Sequence, residues 1–165
     1  LTGPLYDFAD MSLLTFLDLS GNKLHGKVPP TLLQSSNPSE KIVVDLSSNS
    51  LTGTLPAALH RFNSLSIHLH DNQISDIDDE LCGLLGWNDF DVQDFGCDGI
   101  LCPVGYANTA GRQTSSGHPC VECKAAKFMG STLCEGNVVD GSSVIRPAIS
   151  LTAIASLIAA TLYFL

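Results

Sequence analysis

No lysine or arginine occurs between Arg61 and Arg112, no cysteine precedes Cys82, and no usable Asn-x-Ser/Thr glycosylation triplet occurs anywhere. The cation gap coincides with Asp71, Asp76, Asp78, Asp79, Glu80, Asp89, Asp91, Asp94 and Asp98, in a chain of formal charge -9. Proteins that bind nucleic acid meet its phosphates with lysine and arginine, so such a surface excludes a nucleic-acid partner. The single near-triplet, Asn37-Pro38-Ser39, has proline in the middle position and is not a glycan acceptor. A nucleophile elbow, a phosphate loop and a metalloprotease helix motif are all missing. The sequence therefore predicts no catalytic residues, no cofactor and no enzyme. Clustered carboxylates suit calcium, yet Asp76-x-Asp78-Asp79-Glu80 lacks the glycine and closing glutamate of a helix-loop-helix calcium loop. It reads as a solvated acidic surface, and no metal site is expected.

What the chain does contain is a recurring phrase. It runs Leu14-x-x-Leu17-x-Leu19-x-x-Asn22-x-Leu24-x-Gly26-x-Val28-Pro29, then Val44-x-Leu46-x-x-Asn49-x-Leu51-x-Gly53-x-Leu55-Pro56, then Leu65-x-Ile67-x-Leu69-x-x-Asn72-x-Ile74. Leu17-Asp18-Leu19 and its counterparts alternate apolar with polar residues, the period of a short strand buried on one side. One such coil cannot bury its leucines alone, whereas stacked coils share a continuous core. The asparagine falls where the chain leaves the strand, and its amide can satisfy turn backbone groups. Gly26 and Gly53 suit a tight return segment, and Pro29 and Pro56 favour an extended, polyproline-like run. In the third phrase Asp76 replaces glycine, Ile77 comes one residue early and no proline follows, as suits a coil where stacking stops. The segment from Gln34 to Glu40 has the composition of an exposed loop.

These phrases resemble leucine-rich repeats, and their Leu-x-Gly-x-Val/Leu-Pro portion resembles the plant-type subclass of extracellular receptor ectodomains and polygalacturonase-inhibitor-like proteins. The resemblance covers residues 1–81. Leu1, Gly3 and Leu5 fall in register with Leu24, Gly26 and Val28, so the chain reads as the C-terminal portion of a longer array. The implied fold is an α/β-type solenoid, a horseshoe with short parallel strands, followed by a disulfide-rich irregular cap and a C-terminal hydrophobic helix. Horseshoe proteins usually bind ligands on the concave face. The alignment puts Phe16, Asp18 and Ser20 there, beside Val43, Asp45 and Ser47, then Ser66, His68 and His70. His68 and His70 share a side, with Asp45 on the neighbouring rung. A metal site could be drawn from them, but histidines on an exposed strand read more simply as surface.

All six cysteines, Cys82, Cys97, Cys102, Cys120, Cys123 and Cys134, follow the last repeat. A solenoid end needs cover, and an even number of cysteines beside extracellular-type repeats points to disulfides. Six cysteines alone leave the connectivity open. Zinc on Cys97, Cys102, Cys120 and Cys123 is the rival reading, although it strands two cysteines. A thioredoxin-like role for Cys120-x-x-Cys123 lacks the preceding strand–helix context. Cys102-Pro-x-Gly-Tyr106 with Cys120-x-x-Cys123 and Cys134 resembles the small modules of tumour-necrosis-factor-receptor and ephrin-receptor type. That resemblance implies Cys102–Cys120, leaving Cys123–Cys134 and Cys82–Cys97 as the remaining pairs. The join across residues 96–103 also resembles caps of secreted leucine-rich-repeat proteins in diatoms and related algae.

Ala148 to Leu165 carries no charge. At about 1.5 Å per residue a helix of that length would reach roughly 27 Å, near the thickness of a thin bilayer core. No basic residue follows it, and the small residues Gly141, Ser142 and Ser143 precede it after Asp140. This pattern fits a glycosylphosphatidylinositol (GPI) signal with attachment at Asp140 or Gly141 better than a retained transmembrane helix. The domain reading is repeats over 1–81, a cysteine-rich cap over 82–135, a linker over 136–147 and a membrane anchor over 148–165. The expected location is the extracellular face of the plasma membrane. The expected function is a recognition module for a protein, peptide or polysaccharide ligand, with a transmembrane co-receptor as a possible partner. The alternative is a structural cell-wall or matrix protein without signalling.

Overall fold

The fold was obtained as a computed structural model, which describes residues 1–134. The linker, both attachment positions and the apolar tail lie outside the described residues. Among those described, no helix is long and apolar enough to cross a membrane.

The recurring phrase winds into parallel coils. Strands β2 (Phe16–Asp18), β4 (Lys41–Asp45) and β6 (Ser64–His68) form a three-stranded parallel sheet in that order. Its register sets Leu17 beside Val44 and Val44 beside Ile67, so one apolar residue from each coil stacks on the next. Val44 and Ile67 are fully buried and Leu17 nearly so. Alternation thus builds the sheet's inner face one coil at a time, and burial of each such side chain stabilises by roughly 1.5–3 kcal/mol.

A second sheet lines the other side of the leucine core: β1 (Thr2–Pro4), β3 (Lys23–Gly26), β5 (Ser50–Leu55) and β7 (Gln73–Ile77), again parallel and in chain order. The return segment after each asparagine is therefore a strand, where the sequence predicted only a tight turn. Gly53 takes φ 83 within β5, a left-handed conformation that L side chains avoid, and a Cβ there would also press on the Lys27 stem at 3.2 Å. The third coil has no glycine at this place. A bulge absorbs the difference: register slips between Gly53 and Thr54, so that Ile74 and Asp76 face them across the step. Ser75 and Asp76 are both exposed, and Ile77 returns to the core at 4 % exposure. The early isoleucine is buried because the strand carries one extra residue.

Pro56 is extended (φ -76, ψ 136), but the run stops there and a 3-10 helix over Ala57–Arg61 follows, burying Leu59. Arg61 bends back from this helix. Its guanidinium lies 4.4 Å from the Phe62 ring centroid, donates to Ala58 O at 2.6 Å and also bonds the Leu32 carbonyl of the preceding coil. The loop from Gln34 to Glu40 is exposed except at Ser36, whose hydroxyl donates to Met11 O at 3.1 Å. With the Ser35 amide, which donates to Ala9 O at 3.0 Å, that serine ties the loop to the first coil.

Each asparagine joins two coils. Asn49 Nδ2 donates to Leu46 O and Ser47 O in its own coil and to Leu19 O one coil earlier, while its Oδ1 accepts from Leu24 N at 2.9 Å. Asn72 repeats the pattern with Leu69 O, Leu46 O and Leu51 N. Asn22 Oδ1 accepts from the amino group of Leu1, the residue aligned with Leu24 and Leu51. The amide's two donors and one acceptor are all used, which is why asparagine suits this place.

The core does not end at the third coil. Leu81, Trp87, Val92, Ile100, Leu101 and Met129 belong to the same buried cluster as Leu17 and Val44. A short helix α1 (Asp91–Phe95) and a two-stranded antiparallel piece, β8 (Tyr106–Ala107) with β9 (Val121–Glu122), complete the described chain.

Candidate functional site

The outward residues of β2, β4 and β6 form rows across the sheet. Phe16 pairs with Val43 and Val43 with Ser66; Asp18 pairs with Asp45 and Asp45 with His68. Ser20, Ser47 and His70 follow just past the strand ends. Exposure falls toward the cap along the row from Phe16 through Val43 to Ser66, and Ser47 is the buried member of its own row. Phe16 is 64 % exposed, whereas Ser47 and Ser66 are 5 % and 6 % exposed. Asp18 Oδ1 accepts from the amide and hydroxyl of Ser20 (2.9 and 2.7 Å), and Asp45 Oδ1 does the same with Ser47 (2.9 and 2.6 Å). The Ser20 hydroxyl, then its amide, holds the Asp18 carboxyl below its ordinary value. Two carboxylates directly opposite one another repel, and each serine clamp disperses that charge. Ser47 and Ser66 are thus supports of the face, with their hydroxyls engaged by Asp45 and His68.

His68 is set at the cap-side edge of the face. Its ring nitrogen lies 3.3 Å from the Ser66 hydroxyl. Burial lowers its pKa most; Asp45 and Asp89 oppose that shift, and Arg112 and His70 reinforce it. An imidazole with a lowered folded-state pKa stabilises the fold fully above the unfolded value of about 6.5. That contribution is lost as pH falls from there through the folded value. His68→Gln should therefore flatten the decline in melting temperature between neutral and mildly acid pH. The effect should be less than about 1 kcal/mol because the ring is half open to water. Parallel melting curves of the two proteins check it.

The cap reaches this edge by hydrogen bonds unread in the sequence. Asn88, fully buried, accepts from Ile67 N (2.8 Å) and donates to Gly99 O (2.8 Å). Trp87 is likewise fully buried, and its indole donates to Phe62 O at 2.8 Å. Left-handed backbone at Asn88, Asp89 and Phe90 (φ 49, 58 and 77) folds this segment along the open side of β6. Such conformations are costly outside glycine, and asparagine and aspartate tolerate them best. At the rim Lys41 bonds Asp89 at 2.6 Å, and Arg112 pairs with Asp91.

A second loop closes β7. Met129 N donates to Ile74 O (2.9 Å), Asp71 N donates to Gly130 O (3.1 Å), and Asp71's carboxylate accepts from the amide and hydroxyl of Thr132 (3.0 and 2.6 Å). Gly111 (φ 68) presses against His70, with Gly130 O only 2.8 Å from where a Cβ would stand. No larger residue fits.

Disulfides hold both loops: Cys82–Cys97, Cys102–Cys120 and Cys123–Cys134, with Cα separations of 4.5, 5.5 and 5.7 Å. All six thiols are consumed. Oxidised protein should show no alkylatable thiol and bind no stoichiometric zinc. Replacing the Cys102–Cys120 pair by alanines should cost roughly 2–5 kcal/mol and raise exchange at the Asp71 and Met129 amides. Thiols protected only by added zinc would contradict this. Among the described residues, no group of three or more His, Cys, Asp or Glu is placed to hold a metal ion.

Residues 13–35 and 42–62 match the family model described as Leucine Rich Repeat. No curated protein and no solved structure matches the chain. The two matched repeats, the parallel coils of about three turns and the asparagine ladder together support a leucine-rich-repeat protein. Such repeats generally bind proteins or peptides, and the class is typically non-enzymatic.

Proposed function

We propose that this chain is a non-enzymatic recognition module of plant-type, extracellular character, tethered to a membrane by its C-terminal segment. Protein, peptide or glycan ligands would lie across Phe16, Asp18, Val43, Asp45 and His68. The observation that carries this reading is the row structure of the sheet: aligned outward side chains on a rigid parallel ladder, with exposed Phe16 beside half-buried Val43. Aromatic side chains are enriched at binding surfaces, and fixed charges beside them select a partner of complementary charge. Ligand capture on the full chain, repeated with Phe16→Ala and with Asp45→Lys, tests it. Phe16→Ala should melt as the parent does, Asp45→Lys should melt somewhat lower because it releases the Ser47 clamp, and both should lose the ligand by tenfold or more. Unchanged capture would move the binding surface elsewhere.

The tether has its own test. Under the lipid-anchor reading the segment after Asp140 or Gly141 is exchanged for lipid. Phosphatidylinositol-specific phospholipase C should then release the protein from intact cells. Retention on a susceptible membrane, with tryptic peptides from beyond Pro147, would mean a retained helix. In the lipid-anchored form a signal would pass through a membrane-spanning partner.

A further inference from the structure

The second half of the cap carries charge of the opposite sign to the rest of the chain. Residues 99–135 contain Arg112, Lys124 and Lys127 against Glu122 and Glu135. Arg112 is engaged with Asp91, whereas Lys124 and Lys127 are exposed. Beside them Val121, Phe128 and Leu133 are 44 %, 39 % and 71 % exposed. The fold leaves them outward because Cys123, Ala126 and Met129 take the inward positions of the same stretch, at 2 %, 6 % and 9 % exposure. The Cys123–Cys134 bond sets Leu133 against the turn that carries Val121 and Lys124. Two lysines and three apolar side chains thus stand exposed within residues 121–134, beside Glu122, and the chain leaves this stretch at Cys134.

The sequence beyond Cys134 limits how far this face can stand from the tail. Thirteen residues, 135–147, separate Cys134 from the uncharged run 148–165. At roughly 3.3–3.6 Å per residue they reach at most about 45 Å, and the six residues to Asp140 about 20 Å. On the tether reading, on which this inference rests, the face is held close to the bilayer whichever anchor is present. We propose that Val121, Lys124, Lys127, Phe128 and Leu133 rest on the phospholipid surface that holds the tail. The lysines meet headgroup phosphates, and Phe128 and Leu133 enter the interfacial layer. Aromatic rings and lysine stems favour that layer, basic residues are drawn to anionic headgroups, and a short tether raises the effective concentration of a contact too weak to form alone. The contact would fix the tilt of the solenoid above the membrane.

Trp87, the only tryptophan, is fully buried and gives a baseline insensitive to lipid. The anchored full chain, reconstituted into phosphatidylcholine vesicles with brominated acyl chains, should show unquenched emission. The Phe128→Trp variant should be quenched several-fold more, and more again with phosphatidylglycerol present. Adding Lys124→Glu and Lys127→Glu should return emission toward the parent value while the chain still floats with the vesicles. Flotation without extra quenching in Phe128→Trp overturns the contact and leaves the tether standing. Failure to float overturns both.

Discussion

Trp87→Ala is expected to destabilise the protein by roughly 3–5 kcal/mol, a large part of the stability of a small domain. The indole fills the space between the last coil and the cap, and its loss leaves a cavity together with an unpaired Phe62 carbonyl. Asn88→Ala should cost about 2–3 kcal/mol by a different route, leaving Ile67 N buried without a partner and Gly99 O with only the long bond from Arg112. Because both residues cover the same sheet edge, the double variant should lose less than the sum. Chemical unfolding with the disulfides intact measures each cost, and amide exchange at Ile67 reports the edge directly. A change below about 1 kcal/mol for Trp87→Ala would mean that the cap does not stabilise the coils.

The second large effect concerns the ladder. Asn49→Ala leaves Leu24 N without a partner and takes one of two donors from Leu19 O and Leu46 O, which keep Asn22 and Asn72, and the expected loss is about 2–3 kcal/mol. Asn49→Asp is the sharper test. It preserves shape and the acceptor for Leu24 N, but puts a carboxylate oxygen against carbonyls that the amide nitrogen now satisfies. The aspartate variant should therefore be no more stable than the alanine variant at neutral pH and should recover on acidification, as the carboxyl gains a proton to donate. An aspartate variant as stable as the parent would show that the donor half of the amide contributes nothing.

The repeating coils were legible because each repeats the same physics: leucines at fixed spacing turn inward, and the asparagine follows at fixed distance. The outward rows were legible for the same reason, since a two-residue period assigns faces. The second sheet was not, because Gly26 and Gly53 signal positive φ without revealing that residues on either side pair with the next coil. Ser47 and Ser66 were read as surface, and period alone cannot foresee the neighbours that bury them. The joint of cap to coil was invisible. Trp87 and Asn88 stand in no repeating pattern, and nothing local distinguishes a buried asparagine from a loop asparagine. The contact of Asp71 with Thr132 spans sixty-one positions, and no periodicity reaches so far.

The bonds by which the cap grips the last coil have a common character. Ile67 N, Phe62 O, Ile74 O and Asp71 N are all main-chain atoms. Apart from the Asp71 carboxylate that holds Thr132 and the His70 side chain packed on Gly111, the joint does not read the outward side chains of the coil beneath it. Outward residues of that coil could drift, as a changing ligand would require, while the lid went on fitting. An end piece that reads mostly backbone is also portable: grafted after another coil of the same pitch with an aspartate at the place of Asp71, it would find the same atoms waiting.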